Sequence, residues 1–115
     1  MGQRSGQLSA PALAALRDPA NSVWFSVVSV LEIVIKAQLG KLMLRLPLAH
    51  IVAQQQANGF QVLAATLPHS LAVEGLPPVH QDPFDRLLAA QSIVEGAQLV
   101  SADAIFSHYP VRLLW

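Results

Sequence analysis

The sequence predicts an α/β domain with a mainly parallel sheet. Short β-branched or aromatic runs alternate with segments of helical period, turn chemistry separates them, and one helix is signalled at both ends. With 115 residues, 53% of them hydrophobic, the chain has material for one core and too little for two.

Residues 1–8 are rich in Gly, Gln and Ser and are expected to be disordered, leaving a domain over residues 9–115. Ser9 suits the cap of a short helix with Pro11 in its first turn, running to about Arg17. Asp18 to Asn21 is a turn cluster. Ser22 to Val27 reads as a buried strand, and Trp24, like Trp115, as core or edge packing. The period then changes: Val30, Ile33, Val34 and Ala37 predict a helix over Ser29 to Leu39, closed by Gly40. A second amphipathic helix is expected from Pro47 to Asn58 and a strand from Phe60 to Thr66. One or two helical turns follow before Pro77 and Pro78 stop them. The clearest helix runs from Asp82 at the cap, through Pro83 at the first helical position, to Gly96. A short run ending at Val100, a polar turn carrying Asp103 and a terminal edge strand in VRLLW complete the chain.

Composition narrows the function. Seven basic residues balance seven acidic ones, so no net field steers a polyanion and any nucleic-acid contact is local. Cysteine is absent, which removes disulfides, thiolate nucleophiles and Cys-based zinc sites. The most apolar stretch, Ser22 to Ile35, is shorter than the ~20 residues a bilayer span needs and contains Glu32. No secretory signal is evident, so a cytoplasmic domain without membrane association is expected. No Walker loop, GxGxxG, GxSxG or HExxH occurs. His50, His69, His80 and His108 have no metal-ligand spacing and receive no role.

Three carboxylates lie in or beside apolar segments: Glu32 in VVSVLEIVIK, Asp85 at the start of DRLLAAQ, and Asp103 after QLV. Each follows a predicted strand or opens a helix, the edge of a parallel sheet where ligands gather. Clustered carboxylates repel unless a cation neutralises them, and a hard divalent ion with oxygen ligands suits phosphodiester hydrolysis. Bland readings stand beside this one. Ser29 and Glu32 have capping-box spacing, Asp82 and Asp85 repeat it, and Asp103 is a common turn or cap residue. Capping is the stronger reading for Asp82. Lys36, four residues after Glu32, reads as an ion pair or a phosphate contact, and Lys41, Arg45 and Arg86 as an RNA path or as solvated charge.

Together, Ser26 to Leu42, Asp82 to Asp103 and the closing VRLLW resemble the PIN domains of VapC-like toxins from type II toxin–antitoxin modules, over roughly Gln7 to Trp115. The resemblance implies a three-layer α/β/α fold with a central parallel sheet and a Mg²⁺- or Mn²⁺-dependent endoribonuclease. Carried over, the catalytic and metal-ligating residues are Glu32, Asp85 and Asp103, with Asp82 assisting or only capping; beside them, the residues themselves offer Ser29 as a cap and Lys36, Lys41 and Arg86 as weak RNA contacts. The resemblance also implies a homodimer, a cognate antitoxin and an RNA substrate, while the sequence leads to no expectation of DNA binding. One departure is expected to matter. Such domains begin with an apolar, central strand ending in an aspartate, where this chain has MGQRSGQ. A start lying upstream, a degenerate gene, or a strand supplied by another chain would each explain it. The 115 residues alone are then expected to be weakly active or inactive, leaving open a non-catalytic PIN-like module that binds an antitoxin or RNA.

Overall fold

The computed structural model describes residues 8–115, so the disorder expected of the N-terminus falls outside the described residues except at Leu8. Those residues form an α/β fold with five α-helices and two separate two-stranded parallel sheets. The chain divides into two compact units, Ser22–Ala65 and Met1–Asn21 with Thr66–Trp115.

In the unit Ser22–Ala65, β1 (Trp24–Ser26) pairs in parallel with β2 (Gln61–Leu63), with Phe25 opposite Val62. Two helices, α2 (Val27–Gln38) and α3 (Leu48–Ala57), make the crossover that parallel pairing requires. The expected strand over Ser22 to Val27 is cut short because the hydroxyl of Ser26 accepts the backbone N–H of Val28 at 3.0 Å. Ser26 is therefore the N-cap, and the valines that follow enter the helix despite their β-branching. This corrects the capping role expected of Ser29, which lies inside the first turn, so that Ser29 and Glu32 form no capping box. Gly40 follows the helix at φ 72, where a side chain would be strained. Trp24 is 49% exposed and Trp115 40%, so neither is a core residue.

In the other unit, Ser9 caps α1 (Ala10–Arg17), accepting from the Ala12 N–H at 3.2 Å. The strand expected to reach Thr66 stops at Leu63, because the Thr66 hydroxyl caps α4 (Leu67–Ala72) and a single 3-10 turn, Val73–Gly75, extends it. The helix expected from Asp82 is α5 (Pro83–Glu95), capped by Asp82 and ended by Gly96 in the left-handed region. The segment after it supplies β3 (Leu99–Val100) and β4 (Leu113–Leu114), a parallel pair with Leu99 opposite Leu113. Leu76, Ala89, Ala90, Phe106 and Tyr109 form the buried core, with Leu88, Leu99, Ile105 and Leu113 packed on it. The two alanines are fully buried, so α5 presents a short-side-chain face to its neighbours.

His69 joins α4 to α5. Its Nδ1 accepts from the Thr66 N–H at 3.1 Å and faces the Gln91 amide nitrogen at 3.3 Å, while its Nε2 lies 2.8 Å from Glu95 Oε2. A backbone N–H can only donate, so Nδ1 is the acceptor and Nε2 the donor of a neutral ring. The ring is 1% exposed, and its loss strands the groups around it.

Two stability outcomes follow. His69→Ala is expected to lower the unfolding free energy by about 2–4 kcal/mol, from a buried void plus unpaired polar groups, measured by urea titration. Gly96→Ala is expected to cost about 1 kcal/mol. Its φ of 63 disfavours a Cβ, although a Cβ there would meet open space.

Candidate functional site

The start of α5 brings two carboxylates together. Asp82, outside the helix at φ −64 and ψ 112, accepts on Oδ1 from the N–H groups of Phe84 at 2.9 Å and Asp85 at 3.3 Å. Pro83 at the first helical position has no N–H to satisfy and a φ already suited to the helix. Asp85 thereby becomes the third helical residue, at the end of the helix where the dipole favours negative charge. Carboxylate oxygens of Asp82 and Asp85 lie within 4.8 Å of each other, and both residues are half-buried. Oxygen donors of like charge at this spacing form a set that fits a hard divalent cation, with water completing the shell.

Asp85 has a partner that sequence reasoning passed over. His80 Nε2 lies 3.3 Å from Asp85 Oδ2, and His80 Nδ1 lies 2.5 Å from the Tyr109 hydroxyl. The His80 and Tyr109 rings are tilted at 56° with centroids 5.5 Å apart. The side chains of His80 and Asp85 are 21% and 16% exposed, so water competes little with their contact. A search for histidines at metal-ligand spacing misses a histidine that serves a carboxylate. The available signal was the position of His80 just ahead of the DPFDR turn.

Arg86 turns inward. Its Nη1 donates to the Pro77 carbonyl at 2.9 Å and, at 3.4 Å, to the His80 carbonyl and the Tyr109 oxygen; its Nη2 donates to the Val73 carbonyl at 3.4 Å. The phosphate contact expected of Arg86 is thus replaced by a structural clamp. The guanidinium fork matches several carbonyl acceptors at once, which a solvated lysine would not.

The remaining candidates are placed one by one. Glu32 lies within α2 and pairs with Lys36, Oε2 to Nζ 3.3 Å, the i,i+4 contact its spacing allows. Lys41 is exposed beyond the end of that helix. Asp103 is exposed and caps the 3-10 turn Ala104–His108, accepting from the Ile105 N–H at 3.0 Å. Among the described residues, Asp103 does not complete a group of three with Asp82 and Asp85 at ligand spacing.

The double duty of Asp82 can be separated experimentally. Asp82→Ala is expected to lose about 1 kcal/mol through the missing cap. Asp82→Asn keeps the Oδ1 acceptor and should melt close to the wild type. A drop in Mn²⁺ affinity confined to the charge change, read by calorimetry on the asparagine variant, would assign Asp82 a metal-binding part beyond capping.

Comparison with known proteins is consistent with this geometry. No curated protein and no solved structure matches the chain significantly. The family model of the PIN domain, a group whose members are generally divalent-metal-dependent nucleases, matches residues 4–111. That span takes in α1, the strands β1 to β3 and the DPFDR turn with both of its carboxylates, and the chain belongs to the PIN domain family.

Proposed function

We propose that the protein is a metal-dependent endoribonuclease, the toxin component of a type II toxin–antitoxin module similar to the VapC-like toxins. The observation that carries this reading is the pair Asp82 and Asp85, with oxygens within 4.8 Å at the start of α5 in a PIN-family chain. In it, Glu32, Asp85 and Asp103 hold Mg²⁺ or Mn²⁺, and Asp82 orients the helix start that presents Asp85. When bound, the cation supplies a water of lowered pKa and stabilises charge on the phosphate. Glu32 can exchange its present partner for that role, because surface ion pairs of the Glu32–Lys36 kind are worth about 1 kcal/mol or less. Lys36, thus released, and Lys41 supply phosphate contacts with an RNA strand.

The proposal extends to partners. Leu42, Met43, Leu44 and Leu46 are exposed by 38%, 92%, 37% and 43%, an apolar run that supports a protein partner: a cognate antitoxin, or a second copy in a homodimer. Among the described residues no helix is long and apolar enough to cross a membrane; the cytoplasmic site of action is part of the proposal. The first acidic residue of the 115 is Asp18, so they offer no counterpart to the aspartate that the resemblance expects at the end of a first strand. For these residues alone we propose weak cleavage. The second reading, a non-catalytic PIN-like module that binds an antitoxin or RNA, draws on the same observation.

Mn²⁺ titration and cleavage of single-stranded RNA test the proposal. Asp85→Asn, Glu32→Gln and Asp103→Asn should each lower Mg²⁺-dependent cleavage by more than about a hundredfold, exceeding the loss typical of outer-sphere partners. Helical circular dichroism should be retained. Cleavage unaffected by all three substitutions would refute the assignment; metal binding with no cleavage by the wild type would favour the non-catalytic module.

A further inference from the structure

We propose that His80 is a positioning residue for Asp85, held in one tautomer by Tyr109 and Arg86 so that the Asp85 carboxylate is pre-set for a divalent cation. The inference rests on the metal-dependent reading of the site and deepens it.

The chemistry of the two ends sets the direction of the chain of contacts. A guanidinium only donates, so Arg86 Nη1 donates to the Tyr109 oxygen, 3.4 Å away. An ionised carboxylate only accepts, so His80 Nε2 carries the proton directed at Asp85 Oδ2, 3.3 Å away. A neutral imidazole with its proton on Nε2 has a lone pair on Nδ1, and the Tyr109 hydroxyl, 2.5 Å away, donates into it. The proton donors therefore run in one direction, from Arg86 through Tyr109 and His80 to Asp85.

The surroundings hold that order in place. Tyr109 is 4% exposed and belongs to the core cluster, so its hydroxyl is aimed by packing. Arg86 also binds the His80 carbonyl at 3.4 Å, so the same guanidinium fixes the backbone that carries the ring. Asp85 is itself fixed by α5, with its N–H on Asp82 Oδ1. A carboxylate whose backbone and one oxygen are both restrained loses little freedom on binding a cation. Hydrogen-bond partners of this type commonly alter metal affinity by 10- to 100-fold.

The test uses the full chain, with Mn²⁺ alone as probe and electron paramagnetic resonance to count free ion. His80→Phe and Tyr109→Phe are each expected to weaken Mn²⁺ binding by about tenfold, with His80→Gln, which restores an N–H donor, recovering most of the loss. Tyr109→Phe keeps the packed ring, and thermal melting identifies any variant that fails to fold. In metal-free protein at fixed pH, long-range ¹H–¹⁵N correlation should show His80 protonated on Nε2. Tyr109→Phe or Asp85→Asn should turn that signal into a tautomeric mixture, which a purely structural role would not predict. Wild-type affinity in folded His80→Phe and Tyr109→Phe, or a proton found on Nδ1, overturns the positioning role while the nuclease reading stands. A wild type that binds no Mn²⁺ overturns both.

Discussion

The hydrogen bonds of Arg86 are the constraint on which the candidate site depends. The segment between α4 and α5 contains two prolines and no regular structure beyond one 3-10 turn, so its carbonyls have no ladder to join. Arg86 reaches back from α5 to the carbonyls of Val73, Pro77 and His80 and touches the Tyr109 hydroxyl. One planar cation thus ties the loop, the helix and the C-terminal segment together within a single unit. Because His80 is among the residues held, the loop that brings it to Asp85 is defined by the same bonds that stabilise the fold.

The same helix start shows how structural and chemical demands share residues. A carboxylate at the cap satisfies N–H groups that have no partner inside the helix, and one at the third position gains from the dipole, so acids collect there for reasons of stability. That collection also gathers like charges, which a cation can neutralise. Asp82 and Asp85 meet both demands, with Asp82 Oδ1 taking two backbone N–H groups. Glu32 and Asp103 are held more loosely, the first by an exposed lysine and the second by a single backbone N–H at the surface. The acids at the start of α5 are thus held rigidly, whereas the present contacts of Glu32 and Asp103 exchange at little cost.

Local signals account for much of what was legible from the residues. Ser9 and Asp82 at caps, Pro83 inside a first turn and Gly96 beyond a last one act over a few residues, and the helix ends fall where they indicate. The DPFDR turn, with Asp82 as cap and Asp85 three residues on, was legible for the same reason. At Ser26 two local signals competed. The β-branched valines that follow favour a strand by composition, but the hydroxyl before them captured the Val28 N–H and started the helix early. The capping-box spacing of Ser29 and Glu32 was a coincidence of pattern.

By itself the sequence determined the α/β alternation, the boundaries of α1, α3 and α5 to within a residue or two, and the pairing of two acids at one helix start. Each depends on neighbours along the chain. Only the tertiary structure decided that Arg86 faces inward, that His69 is a buried link between α4 and α5, and that His80 and Tyr109 stand behind Asp85. Those contacts join residues separated by up to 29 positions. An imidazole or guanidinium has no preferred partner until packing brings one within about 3 Å, and no periodicity or spacing encodes that approach.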